Sequence, residues 1–175
     1  MFRSLRQRLE GIGEGYGGSQ PLRGYLTTLT VYASVVSGLT AVAAATGRRG
    51  PSRPAAGDVI LIAVATHKLS RLLAKEAVTS PLRAAVTRFE GAAGSSEVNE
   101  VPRATGSGHA AAELISCPFC LGVWVSTGFC AGLVFLPRLT RLVATGLTAV
   151  AGSDFLQLAY DAAKAATGNA GRHGG

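Results

Sequence analysis

Uncharged apolar residues in this chain fall in long runs rather than in stripes or strict alternation. The first run, Tyr25 to Gly47, carries no charge and has the ~20-residue length that crosses a bilayer as a helix. The second, Ala55 to Val78, is apolar at first apart from Asp58. It then meets His67, Lys68, Ser70, Arg71 and Lys75, whose basic members would snorkel to one membrane surface. The third, Cys120 to Pro137, is uncharged. The fourth, Leu139 to Tyr160, contains Asp154 and Gln157. Only Pro137-Arg138 separates the last two runs, so they are expected to form an antiparallel hairpin.

The segments between the runs read differently. Residues 1–24 form a basic, glycine-rich tail. In "TSPLRAAVTRFEG", Ser80 suits a helix cap and Pro81 a first helical position. Leu82, Ala85, Val86 and Phe89 would share one face, with Arg83 and Arg88 off it. This predicts a short amphipathic helix over 80–90, lying on a membrane surface. Gly, Ser, Glu and Pro then predict a flexible loop over 92–109, and residues 166–175 a disordered tail.

The expected fold is therefore all-α: a transmembrane bundle of about four spans, with a surface helix between spans two and three. The first span is placed at 25–47 and the others near 55–76, 118–136 and 139–160. "AVAAA" near the end of the first run resembles a signal-peptidase site, but the run exceeds an ordinary signal core.

Composition agrees with a bilayer. Of 175 residues, 47% are hydrophobic and only 15% charged, against roughly 25% charged in an average soluble domain. Net charge is +7, yet the basic residues sit at the ends of apolar runs and form no basic, aromatic-lined face, which argues against nucleic acid. With both termini inside, Arg3, Arg6, Arg8, Arg23, Lys68, Arg71, Lys75, Arg83, Arg88, Arg103, Lys164 and Arg172 lie on the inner side. Arg48, Arg49, Arg53, Arg138 and Arg141 lie outside. The positive-inside rule then predicts a multi-pass protein of the inner (cytoplasmic) membrane with cytosolic termini. The spacings Gly122-x-x-x-Ser126 and Gly128-x-x-x-Gly132 would let helices approach, within one chain or in a homo-oligomer.

Candidate chemistry gathers at the inner face. The topology brings His67, Lys68, Arg71, Cys117, Cys120 and Asp154 to one depth. Asp154 inside a span calls for a basic partner, Lys68 or Arg71. In "ISCPFCLG", Cys117 and Cys120 flank Pro118-Phe119 and admit three readings: small residues at a helix entrance, a redox pair, or metal ligands. A metal, zinc or iron, needs four ligands, and Cys117, Cys120 and His67 supply three. The residues otherwise call for no cofactor. Cys-Pro-Phe-Cys looks like a glutaredoxin-type motif, but nothing around it reads as that fold. Phosphate-loop, G-x-S-x-G and H-E-x-x-H signatures are absent, so nothing marks an enzyme. These features fit an accessory or interaction module of unknown activity at the cytosolic face, and alternatively a thiol-redox or metal-binding membrane protein.

"ATHKLSRLLAKEAVTSPLRAAVTRFEG", "ELISCPFCLGVWV" and "GSDFLQLAYDA" together resemble the bacterial and phage membrane family called domain of unknown function 1360. The resemblance covers about 55–165 and leaves out the first run. It implies an integral membrane protein, with no established activity, substrate or cofactor. It also implies that His67, Lys68, Arg71, Ser80, Pro81, Arg83, Cys117 and Cys120 belong to one pattern. Ala84-Ala85-Val86 depart from that pattern, where the family has a proline and an aromatic.

Overall fold

A computed structural model describes residues 22–50, 53–103 and 107–172; the basic N-terminal tail lies outside this set up to residue 21. The elements are α1 (Leu22–Ala45), α2 (Ala56–Lys75), a 3-10 turn (Ala77–Thr79), α3 (Ser80–Arg83), β1 (Thr87–Gly94), β2 (Glu97–Pro102), α4 (Ser107–Ser116), α5 (Pro118–Phe135) and α6 (Pro137–Arg172). The fold is helical, with one two-stranded sheet.

Among the described residues, three helices are long and apolar enough to cross a membrane: α1, α5, and residues 137–167 of α6. In α1 none of the most apolar window is buried inside the protein. Leu26, Leu29, Val31, Val35 and Val42 are all exposed there. In water such a surface would associate or aggregate, whereas a lipid environment would cover it.

The chain divides into two compact units, Leu39–Leu72 with Gly122–Gly175, and Met1–Gly38 with Leu73–Leu121. In the first of these, α5 and α6 turn about Leu136. Thr140 lies against Gly132, and Phe129 shares a core cluster with Ala144 and Ala65. These pairs mirror about the turn, as an antiparallel hairpin requires. A Cβ added at Gly132 would fall 2.5 Å from Thr140 Oγ1, so glycine is what lets the helices meet here.

Helix α2 lies along α6 in the same direction. Arg141 donates to Asp58 twice, at 2.8 Å each. Thr148 Oγ1 donates to the Leu61 carbonyl at 3.3 Å. Lys68 Nζ lies 2.9 Å from Asp154 Oδ2. The sequence numbers rise together on both helices, so the pair is parallel. α2 falls outside the three apolar candidates because of its charges, and two of those, Asp58 and Lys68, are matched by α6.

In the other unit the sequence expectation needs correcting. The helix expected over 80–90 ends at Arg83. Val86 N–H turns back to the Arg83 carbonyl at 2.9 Å, and Thr87 opens a strand. The stretch expected as a loop over 92–109 holds the rest of an antiparallel hairpin and the start of α4. Its register runs from Thr87 opposite Pro102 to Gly94 opposite Glu97, with irregularities after Phe89 and Ala92. The hairpin is tied back to the 3-10 turn, where Ala77 N–H donates to the Ser96 carbonyl at 2.8 Å. Helix α4 holds the start of α1 through Tyr25 OH, which donates to Glu113 Oε2 at 2.6 Å. At the other end of the chain, the disordered tail expected from 166 is helical as far as Arg172.

Candidate functional site

Three sets of polar residues are organised, and the family-type motifs fall among them. The most deeply built is centred on Arg83. The amphipathic pattern set this side chain off the apolar face, yet it is only 1% exposed. Its Nε donates to Glu100 Oε2 at 2.8 Å, and one terminal nitrogen donates to Glu100 Oε1 at 3.1 Å. The other donates at 2.6 Å to both the Leu73 carbonyl and Thr79 Oγ1. The Glu76 carbonyl and Ser80 Oγ complete the shell at 3.1 and 3.3 Å.

The planar guanidinium thus does two things. It caps the last turn of α2 at the Leu73 carbonyl, and it forms a fork with a carboxylate. Glu100 also accepts from Thr87 Oγ1 at 2.9 Å, while Thr87 donates to the Arg83 carbonyl at 2.9 Å. Burial alone would raise the Glu100 pKa. The Arg83 and Thr87 hydrogen bonds, the Arg83 charge and Ser80 outweigh it, and the carboxyl is held below its ordinary value. Thr79, Ser80, Arg83, Thr87 and Glu100 are therefore one clamp that folds α3 and the hairpin onto the end of α2. Pro81 sits in the first turn of α3, and Arg88 is exposed on β1.

The second set is the cysteine pair. The Leu121 N–H donates to the Cys117 carbonyl at 3.0 Å, which makes Cys117 the N-cap of α5 with Pro118 at the first helical position. Its sulfur takes the role of a capping side chain: Cys120 N–H donates to Cys117 Sγ at 3.4 Å. Both thiols are free; Cys117 is partly buried and Cys120 exposed. Burial opposes ionisation of Cys117. The Cys120 and Phe119 backbone N–H groups, the Cys120 thiol and the Lys75 charge outweigh it, and its pKa lies below the ordinary thiol value. Glu113 acts on Cys120. Its carboxylate is engaged by Tyr25 and, at 3.2 Å, by His109 Nε2.

The third set is on α2 and α6, where Lys68 faces Asp154. Lys68 is mostly buried and Asp154 half-exposed. His67 is exposed on α2, and its carbonyl accepts from the buried Ser70 hydroxyl at 3.1 Å. Arg71 is partly buried one turn beyond. Among the described residues, no group of three or more His, Cys, Asp or Glu is placed to hold a metal ion. The metal reading of Cys117, Cys120 and His67 therefore gains no support.

Sequence reasoning missed Glu100 and Thr87. The available signal was weak: an acidic residue in a stretch rich in Gly and Ser gives no reason to expect burial. Arg83 was found, but with the wrong surroundings.

A family model matches residues 61–160, that of a protein of unknown function, DUF1360. All three residue sets fall inside that range. No curated protein and no solved structure matches the chain.

Proposed function

The chain belongs to the DUF1360 family, and from that premise we propose that it is a four-span protein of the cytoplasmic membrane which holds a folded interaction module at the cytosolic face. The module is α3, the β1–β2 hairpin and α4. The observation that carries this reading is the buried Arg83–Glu100 clamp. A mere connection between two spans needs no buried ion pair with six hydrogen bonds to the arginine. A surface meant to be read by a partner needs fixed geometry, and the clamp supplies it.

Three further features support the reading. The two ion pairs between α2 and α6 neutralise charges that would otherwise keep α2 out of a bilayer, and its 20 residues rise about 30 Å, the thickness of the hydrocarbon core. Arg83, Arg88 and Arg103 lie on the module, as expected of a cytosolic segment. Val78 and Leu82, one turn apart, and Phe119 in the first turn of α5 are all exposed. Each lies within a few residues of the end of a spanning helix, where interfacial lipid would cover it.

Photo-crosslinking amino acids placed in living cells at Arg88 and Asn99, both exposed, test the proposal. A discrete protein adduct is expected at one or both. It should vanish when Arg83→Met is added, with the protein still in the membrane fraction. Adducts to lipid alone, or none, would contradict an interaction role.

A further inference from the structure

Cys117 and Cys120 remain outside that reading. We infer that they form a dithiol that exchanges with disulfides of other proteins, with Cys117 as the attacking sulfur and Cys120 as the resolving one.

The geometry separates the two roles. Cys117 closes the N-terminus of an 18-residue helix, and its sulfur already accepts a backbone N–H from that helix. Negative charge on this sulfur is stabilised by the helix end. Lys75 adds a positive charge that acts on it. Cys120 lies one turn further on, exposed, with its backbone on the Cys117 sulfur. Lys75, from the end of α2, acts on Cys117, and Glu113, from α4, acts on Cys120. A serine at position 117 would cap the helix equally well, so capping does not account for the sulfur.

The exchange balances as follows. The Cys117 thiolate attacks one sulfur of the target disulfide. That S–S bond breaks, and the departing sulfur takes a proton and leaves as a thiol. A mixed disulfide on Cys117 remains. Cys120 then gives up its proton and attacks Cys117 Sγ, and the second target sulfur leaves and is protonated. The target has gained two electrons and two protons. The pair has lost them and ends as a Cys117–Cys120 disulfide. Two further thiol groups, from two small thiols or one protein dithiol, restore the Cys117–Cys120 dithiol by the reverse exchange and leave as a disulfide.

Cys130 supplies an internal control, since it is a third free thiol on the same helix, ten residues beyond Cys120, or about 15 Å of helical rise. The test uses the full chain in detergent, equilibrated with mixtures of reduced and oxidised glutathione, then quenched with a maleimide that adds mass per free thiol. Two thiols should disappear together in one reversible transition, and Cys130 should persist. Cys120→Ser should accumulate one glutathione on Cys117. Cys117→Ser, which keeps the cap, should abolish the bridge without loss of thermal stability. At neutral pH Cys117 should be alkylated at least about tenfold faster than Cys130. Three thiols surviving the most oxidising mixture, or equal alkylation of Cys117 and Cys130, would overturn the inference. It does not depend on which side of the membrane the pair faces, so a failed sidedness or crosslinking experiment would leave it standing.

Discussion

Lys68 on α2 and Asp154 on α6 meet with Nζ 2.9 Å from Oδ2, while near the start of the same helices Asp58 receives two hydrogen bonds from Arg141. Ten residues of α2, about 15 Å, separate the two pairs. Between them lies the small-residue contact of Ala65 and Ala144 with Phe129. A helix with an unmatched lysine would be costly in hydrocarbon; paired to a neighbour of opposite sign, it becomes a register lock.

That lock should behave as a pair. Lys68→Met should lower the thermal stability of the detergent-purified protein, because Asp154 loses a partner. Asp154→Leu should do the same. The double replacement should recover most of the loss, because neither charge is then left without its counter-charge. A double variant that loses the sum of the two single losses would show that the residues do not act on each other.

The Arg83 clamp should be the most sensitive point of the hairpin module. Arg83→Met removes the counter-charge of the buried Glu100 carboxylate and the donor to the Leu73 carbonyl. A loss of about 3–5 kcal/mol is expected. Amide hydrogen exchange over 77–103 should rise sharply, while α5 and α6 stay protected. Arg88→Met, at an exposed strand position, should change stability by less than about 0.5 kcal/mol.

Acid should open the same module. The folded-state pKa of Glu100 is depressed, so its contribution to stability is complete above the ordinary carboxylate value. It is lost progressively as pH falls below that value and through the folded pKa. Protection of the 77–103 amides, corrected for the intrinsic exchange rate, should therefore fall as pH drops below the ordinary carboxylate value, and Glu100→Gln should flatten that dependence. A profile unchanged by Glu100→Gln would assign the acid sensitivity to another group.

Gly132 should tolerate no side chain. A Cβ there would enter Thr140, so Gly132→Leu should cost about 1–3 kcal/mol and loosen the α5–α6 hairpin. Gly128 has nothing within 4 Å of a built Cβ, and Gly128→Leu should be silent in the isolated chain. Thermal unfolding of both variants in detergent makes the comparison.

How far the sequence could be read depended on the kind of signal. The helices α1, α5 and α6 were legible because length and a largely apolar run suffice in a bilayer. The turn at Leu136 was legible because one proline and one arginine leave room for nothing longer. The hairpin was not. β2 reads "EVNEVP", where Val98 and Val101 are three apart rather than two, and the inward position belongs to Glu100. A strand that faces inward with a carboxylate breaks the alternation that marks a half-buried strand. For the same reason Arg83 looked like a solvated residue. Its burial depends on Glu100, seventeen residues away, and on the carbonyls of Leu73 and Glu76. The helix expected beyond Arg83 is stopped by strand pairing with β2, which local propensity cannot report.

The sidedness of the module is the claim on which the rest of the functional account turns. With Cys117, Cys120 and Cys130 replaced by serine, Asn99→Cys puts a single thiol on the exposed side of β2. A membrane-impermeant maleimide should label it in inside-out membrane vesicles and leave it untouched in right-side-out ones. Labelling in right-side-out vesicles would put the hairpin outside the cytosol and contradict the account.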